Sequence, residues 1–219
     1  MVVSDWYLAD DYHADHGEGV DFYSAGPSRG CGGNGLWVED KLWVSKNFVT
    51  SNVLANGPIR VLFELEYEPS AAGYQMIGET KRVSLDAGQQ FDRFESRYRQ
   101  EGQPVSLTTA IGLKKAAGEV AGSDAATSWF AKWEKMTQGA GHQGLAMITR
   151  PQEFIKTTED KLNHLMLAKV DSSQTATYWG GFCWDKAGLF TGAEAWNRHV
   201  AGFAQGLTSP IEIKLTTEP

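Results

Sequence analysis

The sequence predicts a mainly β, antiparallel sandwich or barrel with one late α-helix. Short apolar runs with period-two alternation recur along the chain, turn-forming glycines separate them, and only one stretch, near the C-terminal end, keeps helical spacing. A supply of eight Trp, seven Tyr and ten Phe with 24 Gly fits many short strands joined by tight turns.

Taken in order, residues 35–45 read as a hairpin, with Leu36-Trp37-Val38 and Leu42-Trp43-Val44 joined through Glu39-Asp40-Lys41. A strand over 48–54 ends at Asn56-Gly57-Pro58. Over 59–67, Ile59, Val61, Phe63, Leu65 and Tyr67 share one face and Arg60, Glu64 and Glu66 the other. Strands over 76–85 and 90–99 flank the turn Asp86-Ala87-Gly88. The second places Phe94, Ser96 and Tyr98 opposite Arg93, Glu95, Arg97 and Arg99, a pattern for either a solvated outer face or a polar concave groove. Residues 104–113 read as a strand and 114–127, rich in Ala and Gly, as a loop. Residues 128–136 alternate Trp129, Ala131 and Trp133, so strand is preferred to helix. Further strands are expected over 144–149, 162–170 and 175–184, the last followed by the turn Asp185-Lys186-Ala187-Gly188. The helix spans 191–206, with Thr191 as N-cap, Glu194 completing a capping box, and Trp196, Val200, Phe203 and Leu207 as its apolar stripe. Pro210 stops it, and 211–215 forms a last strand. No linker, repeat or low-complexity stretch appears, so 1–219 reads as one domain.

Composition excludes several functions. A formal charge of −7 without a basic block argues against a nucleic-acid surface. No apolar run is long enough for a membrane span. The opening MVVSDWYLADDY lacks the basic and apolar regions of a signal peptide, so an exported location would need a precursor that carries one. Cys31 and Cys183 lack zinc-type spacing; they either pair or remain buried thiols. GxSxG, P-loop, GxGxxG and HExxH motifs are absent.

The chemistry concentrates in residues 9–33. His13 and His16 lie three residues apart among Asp10, Asp11, Asp15, Glu18 and Asp21, with Tyr12 and Tyr23 on either side and a glycine-rich turn closing the segment. Long ordered loops of this kind tend to carry function; a solvated acidic loop is the plainer reading. No cofactor is expected, although His13, His16 and Asp15 or Glu18 could converge on a divalent metal. Elsewhere, His142 precedes a strand in a glycine turn and could serve as a second acid, whereas His164 and His199 read as structural. Trp129, Trp133, Tyr178, Trp179 and Trp184 suit either the core or the face of a sugar ring.

The runs YH…HGEGVDFYSAGPSRGCGGNGLWVEDKL, ETKRVSLDAGQQFDRFE and YWGGFCWDKAGLFTGAEAW resemble a bacterial domain-of-unknown-function family, number four-eight-six-one. The resemblance implies a twisted antiparallel supersandwich like the galactose-mutarotase superfamily, and a place in the breakdown of uronic-acid-rich polysaccharide. Family members are usually longer, which implies a missing N-terminal portion or a second chain as partner. The family-like positions are Tyr12, His13, Asp21, Arg29, Glu79, Lys81 and Arg82.

The expected function is therefore elimination on a uronate-bearing oligosaccharide. Removing a proton beside a carboxylate calls for a base near neutral pKa and a cation against the developing enolate. His13 or His16 would be the base, Tyr12 the proton donor, and Arg82 or Arg93 the carboxylate clamp, with Arg29, Glu64, Glu79, Lys81, Glu95 and Trp184 binding substrate. This requires the opening loop to fold over the arginines. An aldose or uronate mutarotase using His142 with Glu95 or Glu64 is the alternative on the same fold. A non-catalytic saccharide-binding module, with Asp15, Glu18 and Asp21 as a calcium site or rim, is the alternative from another class.

Overall fold

The computed structural model describes residues 9–11, 13–14, 21–100 and 106–209. Thirteen described strands form two antiparallel sheets. The smaller has the order β11-β12-β7-β1-β2: β11 Phe154–Glu159, β12 Asn163–Lys169, β7 Thr108–Lys114, β1 Cys31–Val38 and β2 Lys41–Trp43. The larger has the order β3-β4-β5-β6-β13-β10-β9-β8: β3 Thr50–Asn56, β4 Arg60–Ala72, β5 Gln75–Asp86, β6 Phe91–Gln100, β13 Thr175–Trp184, β10 His142–Thr149, β9 Trp129–Lys135 and β8 Val120–Asp124. The sheets pack face to face as a sandwich, and helix α1 (Ala193–Thr208) lies on the outer face of the larger one.

Alternation divides the core into two layers. Ile111 and Leu113 of β7, Met166 and Ala168 of β12, and Leu145, Met147 and Tyr178 of the larger sheet meet between the sheets. The opposite side chains of β9, β10 and β13 (Trp129, Ala131, Trp133, Ala146, Ile148, Trp179) face α1, where Trp196, Val200 and Ala204 cover them. Trp196 is wholly buried, stacks on Phe91 at 5.8 Å and donates its indole N–H to the Leu145 carbonyl at 3.2 Å. Filling that layer with a ring of this size is worth about 3–5 kcal/mol by the usual cost of truncating a buried aromatic. The helical stripe read from the sequence is the face that packs.

Four elements differ from the sequence reading. β1 starts at Cys31 rather than 35, because its glycines are strand residues under close approach. A Cβ on Gly33 would lie 2.5 Å from the Arg29 carbonyl oxygen, and one on Gly35 would lie 2.4 Å from that of Trp43. β8 occupies part of the expected 114–127 loop; it is an exposed edge strand paired only with β9, and few apolar residues mark it. β11 was not expected, and it too is a mostly exposed edge, paired with β12. The helix begins at Ala193 behind Gly192, which makes no side-chain cap bond, so Thr191 is not the N-cap. Glu194 pairs with Arg198 one turn on instead of closing a capping box. The expected 211–215 strand lies outside the described residues.

Candidate functional site

β9 and β10 place Glu134 opposite Gln143, and period-two alternation puts Lys132 on the same inward face as Glu134. Lys132 has no exposed surface, a costly position for an ammonium group unless carboxylates surround it. Two do: its Nζ lies 2.9 Å from Glu119 Oε2 and 2.5 Å from Glu134 Oε2. Gln143 Nε2 donates to Glu134 Oε1 at 2.5 Å, the Ala116 N–H donates to Glu119 Oε2 at 2.9 Å, and His164 Nε2 donates to Glu119 Oε1. Burial works against the Glu119 charge, yet the bonds from Lys132 and His164 prevail and hold its carboxyl below the ordinary range. The group is an interior cation between two carboxylates, one of which contributes to the wall of a cleft.

Glu134, itself buried, lines a cleft of ≈ 330 Å³ whose walls include Asp11, His13, Tyr23, Lys114, Lys135 and Gln143. Two polar atoms there are buried without a hydrogen-bond partner among the described residues, the Tyr23 hydroxyl and Gln143 Oε1. Such orphans are uncommon in folded proteins and each calls for an explanation. Burial, reinforced by Cys31, Glu134 and Glu119, pushes the Tyr23 phenol well above its ordinary pKa, so it keeps its proton. The His13 Nδ1 bonds to the Asp21 carbonyl. A carbonyl only accepts, so that nitrogen carries a hydrogen.

The structure separates the residues expected to act together. Tyr12 and His16 lie outside the described residues, as do Asp15 and Glu18 of the expected metal or calcium site. Among the described residues no group of three or more His, Cys, Asp or Glu side chains could hold a metal. Arg82, Glu64, Arg93 and Glu95 stand on the outer face of the larger sheet as ion pairs, Arg82–Glu64 at 2.8 Å and Arg93–Glu95 at 2.5 Å. The cleft opens on the inner face, where Gln143 pairs with Trp184 at one end of β13. Arg93 and Arg97 pair with Trp179 and Thr175, five and nine residues along, roughly 17 and 30 Å at about 3.3 Å per residue. The expectation that His13 folds over these arginines is therefore corrected: sheet parity and strand length hold them apart.

Glu79 and Lys81 lie inside the sandwich. Lys81 Nζ is 2.6 Å from Asn34 Oδ1 and 3.4 Å from Glu79, while Asn34 Nδ2 donates to the Tyr98 hydroxyl at 2.9 Å. Those contacts tie β1 to β5 and β6 and leave the pair an architectural part. Arg29 lies beside Gly112 on the outer face of the smaller sheet, its backbone N–H bonded to Asn163 Oδ1 at 2.6 Å. His142 bonds to Asp185 at 3.1 Å and stacks on Trp133, and it lines neither the cleft nor the Glu64–Glu95 face. Trp184 is fixed through its indole N–H to the Ala140 carbonyl at 2.8 Å. Cys31 and Cys183 are both free, and burial pushes each thiol up to about 12. His199 is packed between Phe91 and Phe190, and His164 belongs to the Lys132 network through Glu119.

Sequence reasoning missed Lys132, Glu134, Glu119 and Gln143. The signal was present in the alternation of Phe130, Lys132 and Glu134 against Trp129, Ala131 and Trp133. With both faces of β9 buried, the charged face had to be an interior network rather than a solvated side.

Comparison with known proteins gives a family and no activity. The chain matches the family described as Domain of unknown function (DUF4861) over residues 1–213 and belongs to it. It is similar to "Uncharacterized protein P7" of Formosa agariphila, 29% identical over 225 residues. That alignment covers 98% of this chain and 55% of the relative, so the chain spans about half the relative's length. No solved structure matches.

Proposed function

We propose that this family member is a carbohydrate-active enzyme that eliminates across a uronate ring in an oligosaccharide, with the Tyr23–Glu134–Gln143 cleft as its active site. The observation that carries the reading is the pair of buried, unpartnered polar atoms, Tyr23 OH and Gln143 Oε1, on the wall that His13 shares. A saccharide hydroxyl meets both needs, since it donates to the amide oxygen and accepts from the phenol.

In this reading His13 Nε2 takes the proton from the carbon beside the substrate carboxylate, and the electron pair forms the new double bond. The leaving oxygen departs from the adjacent carbon with a proton from Tyr23, which takes the donor role expected of Tyr12. Lys135 at the rim balances the carboxylate, and Glu134, anchored by Lys132, orients a ring hydroxyl. Resemblance of the sequence to a uronate-associated family supports the substrate class. Two antiparallel sheets of unequal width support kinship with galactose-mutarotase-like sandwiches as part of the same proposal.

Ultraviolet absorbance of the conjugated product, followed across a panel of uronate oligosaccharides, tests it. Turnover by the wild type, reduced about 10²-fold or more in His13→Gln, is the expected outcome. Anomer exchange by saturation-transfer NMR without new product would place mutarotation in the cleft instead, and silence in both assays would refute catalysis.

A further inference from the structure

The outer face of the larger sheet carries a second polar feature that the cleft does not use. Register sets its rows: Glu64, Arg82, Glu95 and Thr177 lie side by side across four strands, and Glu66, Thr80, Arg97 and Thr175 form the next row. Threonines on both sides of Arg97 leave a dip between longer side chains. That dip is an open groove of ≈ 400 Å³ lined by Glu64, Thr80, Arg82, Glu95, Arg97 and Arg99, with Thr175 at its edge.

Most of its arginines are matched. Arg82 pairs with Glu64 at 2.8 Å, Arg99 pairs with Glu66 at 3.2 Å and bonds Thr80, and the neighbouring Arg93 pairs with Glu95 at 2.5 Å. Arg97 is exposed and has neither an ion pair nor a hydrogen bond among the described residues. Three arginines against two glutamates leave the groove lining net positive on a chain of formal charge −7. A guanidinium offers a planar fork of donors that fits a carboxylate or sulfate bidentately, and here the fork stands ready between paired neighbours that fix the surrounding charges.

We propose that the Arg97 groove is a binding subsite for the oxyanion of an acidic saccharide, separate from the cleft. The shared chemistry is a planar or tetrahedral oxyanion on a sugar, held by Arg97 with Arg82 and Arg99 alongside. Its saccharide character rests on the proposed function; capture of the oxyanion does not.

The test titrates the full chain with three oligosaccharides of equal length, one bearing uronates, one sulfated and one neutral. The Arg97 side-chain N–H resonance and calorimetry report binding. Acidic ligands should move that resonance and the neutral one should not, and comparing the two acidic arms identifies the preferred oxyanion. Arg97→Ala should weaken binding tenfold or more, Arg97→Lys by less, and Tyr23→Phe should leave groove binding intact while elimination is lost. Affinity of Arg97→Ala within twofold of wild type, equal binding of the neutral ligand, or no binding by either acidic ligand would overturn the subsite. None of those results bears on turnover in the cleft.

Discussion

Lys132 depends on its two carboxylates, and they depend on it. Truncation to Ala leaves Glu119 and Glu134 facing each other in the interior, without the cation that Glu119 depends on for its lowered pKa. Removing one partner of a buried ion pair typically costs about 3–5 kcal/mol, so Lys132→Ala should lower the unfolding free energy by that amount, read as a fall in the urea midpoint at unchanged slope. Lys132→Met should cost less once Glu119→Gln and Glu134→Gln accompany it, because no uncompensated charge then remains. At this scale the sequence disclosed residue types without their partners. His13 and Tyr23 were legible as a loop rich in ionisable groups, but Glu119 arrives from an unremarkable Ala- and Gly-rich stretch. Only the fold brings it beside Lys132.

Elements were legible where alternation or spacing was long, as in β4, β5, β6, β13 and the stripe of α1. Edge strands β8 and β11 were hidden because one-sided pairing demands little apolar residue. The helix–sheet contact yields a sharp expectation. Gly144 lies beneath Trp196, and a Cβ there would sit 2.7 Å from Cys183 Sγ and 2.8 Å from the indole. Gly144→Ala should therefore destabilise by about 1–3 kcal/mol, the usual range for overpacking, and should couple with Trp196→Phe in a double-mutant cycle. The hairpin between β1 and β2 predicts the opposite sign. Glu39 and Asp40 are both held at positive φ, 52° and 55°, in the two-residue loop that the register leaves between Val38 and Lys41. Asn-Gly prefers that conformation, so Glu39→Asn with Asp40→Gly should raise thermal stability by up to about 1 kcal/mol.

Across the whole molecule, the described acidic groups whose pKa is lowered include Glu119, Asp160, Asp171 and Asp185. For each, burial opposes the charge and hydrogen bonds outweigh it. A carboxyl depressed in the folded state contributes its stability in full above the unfolded value and loses it as pH falls through the folded one. Asp92 and Glu153, whose carboxyls burial raises, act in the opposite sense, so chemical-denaturation midpoints should fall below the ordinary carboxylate range through the first set and gain little above it. The sandwich class and its late helix were legible from pattern alone, because period-two alternation records which strands bury a face. The candidate site was half legible: alternation shows that two residues share a face, but not which sheet lies beyond it. That is why the arginines of β5 and β6 and the histidine of the loop, read as one site, belong to opposite sides of the larger sheet. The claim that the inter-sheet cleft carries catalysis is tested most directly with Tyr23→Phe, which removes one oxygen that has no protein partner. Because no hydrogen bond within the described fold is lost, stability should hold or rise slightly. Elimination measured on the best uronate oligosaccharide should fall about 10²-fold or more if that phenol supplies the proton; a variant turning over within a few-fold of the wild type would contradict the cleft as the active site.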